Sequence, residues 1–333
     1  MSIPSAARIG HVHLRVADLE RSLRFYEGPM GFSQVTAHDP QVAFLAAGGY
    51  HHHLAVNTWR SLGGSPPPAG TTGLYHFAIN YPTRRDLAIA LKRLLQANWE
   101  LDGAADHTTH EAVYLQDPDR NGIEIAWDRD PRVWRAPDGS IRMGTDPLDF
   151  EGLLAEAPGD VDWPDGKVPE GTRIGHVHLK VADIPRSLEF YQGLLDFDVI
   201  ARMGGSAAFL SAGGYHHHLG MNTWESRGGA RPPSGTTGLY HFAINYPEQA
   251  DLAAAVKRLQ DAGWPVDGLD DHGTHIAIYL HDPDFNGIEL AWDRAPAEWP
   301  RSADGRIVFA LGRPLHLDAF VTGAASAAPA QSG

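Results

Sequence analysis

The chain contains no cysteine, which excludes disulfides, thiolate nucleophiles and cysteine-ligated metals. It is also short of positive charge. Lys and Arg number 27 against 41 Asp and Glu, for a formal net charge of −14. Neutralising a phosphate backbone needs clustered cations, so a nucleic-acid partner is not expected. No uninterrupted apolar run approaches the roughly 20 residues that span a bilayer, and Met1–Arg8 lacks the basic and apolar regions of a secretory signal. A soluble, cytoplasmic protein with no membrane partner is the expectation, although the lack of cysteine is compatible with export. What is present is ordinary for a globular chain, with 43% hydrophobic and 20% charged residues. The 333 residues suit two domains on a prior of about 150 residues each, and each half is long enough to bury its own core.

The chain repeats itself. Arg8–Pro131 aligns with Arg173–Pro296 at a constant offset of 165 without a gap, and roughly three residues in five are identical, a level that points to duplication. IGHVHL recurs at Ile9 and Ile174, AGGYHHHL at Ala47 and Ala212, and GTTGLYHFAINYP at Gly70 and Gly235. Two copies, 1–150 and 172–323, are therefore expected, with Glu151–Gly171 as a Gly-, Pro- and acid-rich linker. The small, polar tail 324–333 is expected to be disordered. Of the nine histidines in the first copy, all but His38 face a histidine in the second, whereas helical surface positions such as Arg24/Glu189 have drifted. The histidines were held while their surroundings moved.

Within a copy, His11–Val16 alternates as a half-buried strand does, and Asp18 caps a helix whose apolar stripe includes Leu19, Leu23 and Tyr26. Short strands follow near 34–36, 42–46 and 51–57. After the Gly- and Pro-rich loop Gly63–Gly73, a second round shows a strand at Leu74–Asn80, a helix at Arg84–Ala97, and strands near 112–115 and 123–127. Each copy thus reads as a pair of βαβββ units, and the class is α+β.

Three residues per copy have the character of metal ligands: His11, His76 and Glu124 in the first, His176, His241 and Glu289 in the second. Two imidazoles and a carboxylate on neighbouring strands, beside small residues such as Gly122 and Ala126, form the facial triad of non-haem Fe(II) oxygenases, with open positions on the ion. A lone histidine at the start of a strand is more often a hydrogen-bonded core residue. Retention of all three types in both copies favours the metal.

IGHVHLRVADLERSLRFYEGPMGF, LYHFAINYP and DPDRNGIEI resemble the vicinal oxygen chelate superfamily, whose barrels are built from paired βαβββ units. The resemblance covers nearly the whole chain, and within the superfamily it is to type I extradiol ring-cleavage dioxygenases of the catechol 2,3-dioxygenase kind. It implies four βαβββ modules forming two tandem barrels, and Fe(II), or alternatively Mn(II) or another divalent ion, held by His176, His241 and Glu289 and by His11, His76 and Glu124. The family's turn glycine is Arg120 or Phe285 here, followed by Asn-Gly, so a changed turn rather than a lost ligand is expected. The family's His-His-Ser/Thr motif falls on the HHH run, where alternation along a strand would point His52 with Leu54 and Val56. The acid–base residue is then His217, with His52 as its twin and His216 and His218 as rivals. Tyr279, with twin Tyr114, holds the position of a substrate-bonding tyrosine. His272 and His107 lie in the region of a further active-site histidine, with His275 and His110 as alternatives.

The implied reaction is O2-dependent cleavage of a catechol-type diol beside its hydroxyls, giving a hydroxymuconic semialdehyde-type product. The implied partners are a small aromatic diol and O2, and homo-oligomerisation is left open. Two other readings share the fold. A glyoxalase-like isomerase typically takes a second carboxylate from the last strand of the first unit, but Pro40–Trp59 and Ala201–Trp224 contain no Asp or Glu, so three ligands fit better than four. A drug-sequestering protein of the bleomycin-resistance type would have no need of six repeat-matched ligand positions. Family habit places the working site in the second copy, so if one copy is inactive the first is expected to be.

Overall fold

The computed structural model describes residues 2–309 and 312–323; the tail 324–333 lies outside the described residues. The first module is β1 (Arg8–Arg15), α1 (Leu19–Glu27), β2 (Ser33–Gln34), β3 (Val42–Ala46) and β4 (Leu54–Asn57). The second is β5 (Gly73–Asn80), α2 (Arg84–Gln96), β6 (Leu101–Asp106), β7 (His110–Gln116) and β8 (Gly122–Asp128). A connecting segment carries α3 (Phe150–Ala155). The third module follows as β9 (Arg173–Lys180), α4 (Ile184–Tyr191), β10 (Asp198–Met203), β11 (Ala207–Ser211) and β12 (Leu219–Asn222). The fourth is β13 (Gly238–Asn245), α5 (Gln249–Asp261), β14 (Val266–Asp271), β15 (His275–His281) and β16 (Gly287–Asp293), with β17 (Arg313–Pro314) and α6 (Leu317–Val321) after it. Four βαβββ modules are present, as expected.

Local chemistry explains the elements. The Asp18 side chain accepts the Arg21 amide at 2.9 Å and caps α1, which buries Leu19, Leu23 and Tyr26. Asp183 does the same for α4 through Arg186. The Tyr26 hydroxyl reaches Asp117 at 3.0 Å, and Tyr191 reaches Asp282 at 2.9 Å, tying each of these helices to the β-turn of the next module.

The sheets do not follow the boundary between copies. One has nine strands in the order β17-β14-β15-β16-β13-β1-β4-β3-β2, and joins the first module to the fourth. The other has eight, β10-β11-β12-β9-β5-β8-β7-β6, and joins the third to the second. Each seam is an antiparallel pair of first strands, β1 with β13 and β5 with β9. Both orders are linear, so hydrogen bonding runs across two modules without closing round. The connectors that carry the chain from one sheet to the other pack on each other: the Thr72 amide donates to Ala230 at 3.0 Å, and Thr237 to Ser65 at 3.1 Å. A Cβ on Gly64 would lie 2.3 Å from the Gly235 carbonyl oxygen, so glycine is required for that approach.

The segment expected to be a plain linker is packed rather than loose. The Trp163 ring stacks on Tyr81 at 5.6 Å, and the Arg93 guanidinium lies over Trp163 at 5.2 Å. No helix among the described residues is long and apolar enough to cross a membrane.

Candidate metal centres

Each sheet seam brings together three buried side-chain atoms that could ligate a metal, and each trio crosses the copies. In the first centre the Nε2 atoms of His11 and His241 are 3.2 Å apart, and they lie 3.4 and 3.3 Å from Glu289 Oε2. In the second, the Nε2 atoms of His76 and His176 are 3.0 Å apart, and lie 3.3 and 3.4 Å from Glu124 Oε2. The six expected residues meet, but not in the expected trios of one copy each. Because β1 lies beside β13 rather than β5, His11 joins His241 and Glu289, and His176 joins His76 and Glu124.

The spacing suits an ion. Metal–ligand bonds of about 2.1 Å at angles of about 90–109° place donor atoms roughly 3.0–3.4 Å apart. The donor set supports the same reading, since two imidazole nitrogens and a carboxylate oxygen converge on one point while all six residues are buried. Burial, opposed by Glu289, lowers the His241 pKa to about 3, and burial opposed by Glu124 does the same for His76. Both rings are therefore unprotonated and available as ligands at neutral pH. Burial works to raise the Glu289 carboxyl, but His11 and His275 outweigh it and hold it well below its usual range. His176 and His110 act likewise on Glu124.

The backbone delivers these side chains through irregular pairing. The β1/β13 register shifts between Ile9 and Val12, around His11, and the β5/β9 register shifts on both sides of His76 and Phe77. Such irregularities re-aim a side chain. The glutamates follow turns in which Asp117 Oδ1 accepts the amides of Asp119 and Asn121, both at 2.8 Å; Asp282 repeats this with Asp284 and Asn286. Arg120 and Phe285, at the positions where a turn glycine was expected, take positive φ of 62° and 63°. The turn survives without glycine. Beyond it, a Cβ on Gly122 would fall 2.1 Å from the Tyr75 carbonyl oxygen, so the strand can approach β5 only with glycine there.

Other histidines and tyrosines surround each trio. The rings of His52 and His11 are 4.0 Å apart, and those of His217 and His176 are 4.1 Å apart. The HHH run lies just before β4 and β12 rather than on a strand. Its three rings go to different partners instead of alternating. His53 Nδ1 accepts the Ala47 amide at 3.2 Å, His51 Nε2 meets Asp293 at 3.1 Å, and His52 faces the cavity. His216, His217 and His218 repeat this pattern, although His216 also reaches its cavity.

His272 Nε2 is 2.9 Å from the Tyr279 hydroxyl, and His107 Nε2 is 2.7 Å from Tyr114. His107 Nδ1 donates to the Gly144 carbonyl at 2.9 Å, so its Nε2 accepts and the Tyr114 hydroxyl donates. His275 and His110, the alternatives, approach the second carboxylate oxygens of Glu289 and Glu124 at 3.2 and 3.0 Å. His217 accordingly shares a cavity with Tyr114 and His107, while His52 shares one with Tyr279 and His272.

The cavities measure about 1010 Å³ at the first centre and about 720 Å³ at the second. His13 and His178, for which the sequence suggests no role, also line the cavities and receive Asn57 and Asn222 at 2.9 and 3.0 Å. Asp293 and Asp128 are further site residues, and their one signal in the sequence is the repeated AWDR.

Residues 8–125 and 173–290 each match the model of the Glyoxalase/Bleomycin resistance protein/Dioxygenase superfamily. The chain belongs to this superfamily. It is 39% identical over 268 residues to a catechol-2,3-dioxygenase of Bacillus subtilis (strain 168), covering 80% of this chain and 92% of that one. Over 123 residues it is 28% identical to a biphenyl-2,3-diol 1,2-dioxygenase 3 of Rhodococcus globerulus, covering 36% of this chain and 63% of that one. Among solved structures, glyoxalase I from Zea mays is similar with a TM-score of 0.53 at 16% identity, over 86% of this chain and 92% of that one. A Bacillus subtilis protein named as a candidate dioxygenase gives 0.63 at 16% identity, over 89% and 87%. These two structures share the superfamily's fold.

Proposed function

We propose that the protein is an extradiol ring-cleavage dioxygenase that opens a catechol-type aromatic diol with O2, using one divalent iron at each seam. The observation that carries the reading is the buried His, His, Glu trio at metal-ligand spacing, flanked on its cavity side by a His and a His–Tyr pair. The relative of 39% identity is a catechol-2,3-dioxygenase, which supports the same reaction class.

His11, His241 and Glu289 would hold the ion in the first centre, and His76, His176 and Glu124 in the second. Bound Fe(II) would supply open coordination positions for the two vicinal oxygens and for O2. Around it, His52 and His217 exchange protons with the diol as it binds and as the ring opens. The Tyr114 hydroxyl gives its hydrogen to His107, so its lone pairs are left to accept a hydrogen bond from the substrate hydroxyl. Aromatic walls such as Phe44 and Phe209 line the cavities, suit a planar ring and keep water from it. A glyoxalase-like reaction is less well supported, because among the described residues each converging group has three candidate ligands and no second carboxylate.

Both centres have the full set, and each draws on both copies, so silencing one copy would damage both. Anaerobic reconstitution with Fe(II), followed by oxygen uptake with catechol, tests the proposal. One O2 consumed per ring-opened product is expected; iron-replete protein that consumes no oxygen with any simple catechol would overturn it.

A further inference from the structure

Behind each cavity histidine runs a chain of hydrogen bonds that ends on a carboxylate from the other copy. His52 Nδ1 lies 2.8 Å from His51 Nδ1, and His51 Nε2 lies 3.1 Å from Asp293 Oδ1. In the twin, His217 Nδ1 is 3.1 Å from His216 Nδ1, and His216 Nε2 is 2.9 Å from Asp128 Oδ1. The other oxygen of each carboxylate is occupied by donors. Asp293 Oδ2 receives the Tyr50 hydroxyl and the Asn245 amide, each at 2.7 Å; Asp128 Oδ2 receives the Tyr215 hydroxyl and Arg173, each at 2.8 Å. Stacking pins the middle ring, His51 on His275 at 5.0 Å and His216 on His110 at 4.7 Å.

The carboxylate gives the chain a direction. An ionised carboxylate only accepts, so the proton between Asp293 and His51 belongs to His51 Nε2. A neutral imidazole with that proton has a lone pair on Nδ1, and His51 Nδ1 must then accept from His52. The proton of His52 is therefore on Nδ1, and its Nε2 carries a lone pair. Reversing the chain would set the His51 Nε2 lone pair against the carboxylate.

We propose that Asp293 and His51, and Asp128 and His216 in the twin, are positioning residues that fix the tautomer of His52 and His217 so that Nε2 is the proton acceptor. The inference rests on the acid–base role given to His52 and His217 above. The arrangement occurs twice, at sites built from opposite combinations of the copies, so it is not an accident of one loop. Burial tends to raise the Asp293 carboxyl, but the His51 hydrogen bond and charge hold it down at about 2, consistent with an ionised acceptor.

The test is the double variant Asp293→Asn, Asp128→Asn. An asparagine amide can donate to the His51 or His216 Nε2, which reverses the chain and moves the proton of His52 or His217 to Nε2. In the diamagnetic zinc-substituted protein, long-range ¹H–¹⁵N correlations should show His52 and His217 protonated at Nδ1 in the parent and at Nε2 in the variant. In the iron form, kcat for catechol should fall by about 10²-fold or more while KM and iron content hold. His51→Phe with His216→Phe keeps the stacking, removes the chain and should give the same loss of kcat, which provides a second route if the asparagine variant fails to fold. Unchanged tautomers, or an unchanged kcat in the folded variants, would overturn the proposal. If the parent shows the expected tautomers but opens no catechol, the function proposed above fails and the tautomer assignment stands.

Discussion

Arg120 and Phe285 hold left-handed backbone at φ of 62° and 63°, a region that costs a residue with a side chain about 1 kcal/mol or more relative to glycine. Arg120→Gly should therefore stabilise the fold by about 0.5–1 kcal/mol, seen as a higher thermal midpoint with unchanged metal content. A lower midpoint would mean that the Arg120 side chain contributes more than its backbone costs. Residue-scale chemistry was largely legible in the sequence. All six residues of the two buried trios stood out, because histidine and glutamate kept in both copies need a common cause. The HHH run was harder to read. Its rings are sorted by the Ala47 amide, by Asp293 and by the cavity. Two of those three partners lie outside the run's own neighbourhood, and one lies in the other copy.

At the scale of elements, the capped, amphipathic helices and the alternating first strands could be read directly. Strand β6 could not: Leu-Asp-Gly-Ala-Ala-Asp has neither alternation nor β-branched or aromatic residues, and it forms because β7 supplies the pairing. The connectors between modules are another element the sequence concealed. Gly64 approaches the Gly235 carbonyl and Gly229 the Gly70 carbonyl, where an added Cβ would be 2.3 and 2.1 Å from the oxygen. Gly64→Ala and Gly229→Ala should each cost about 1–3 kcal/mol by forcing the crossing connectors apart. Urea denaturation measures this; midpoints unchanged from the parent would show that the connectors are not in close contact.

For the whole molecule, buried neutral histidines dominate the response to acid. Burial lowers His53 and His218 to about 3, and His51 and His216 to about 4 even against the opposing aspartates. The unfolded chain titrates these groups near 6.5, so it binds more protons than the native state below that pH. Their contribution to stability is full above about 6.5 and is lost as the pH falls toward 4. Asp117 and Asp282, raised to about 6 by burial, oppose this trend but are fewer. Metal-free protein should show a urea midpoint that drops between pH 7 and 5; a flat or rising midpoint would contradict the assignment.

The pairing of modules is the feature the sequence could not reveal. β5 and β13 share the sequence GLYHFAIN, and β1 and β9 differ only in Arg against Lys at the end. Pairing β1 with either partner strand would bury the same side chains, so no pattern of residues distinguishes the arrangements. The choice belongs to the connectors and to contacts made by residues outside the repeat, such as Ser5, whose carbonyl oxygen would lie 2.1 Å from a Cβ on Gly213.

Metal stoichiometry in two double variants tests this cross-copy assembly most directly. If His11 and Glu289 share a centre, His11→Ala with Glu289→Ala leaves the second centre whole, and iron content falls by half. His11→Ala with Glu124→Ala then damages both centres, and bound iron is lost. The opposite pattern, with half the iron kept by the His11, Glu124 variant and none by the His11, Glu289 variant, would contradict the account.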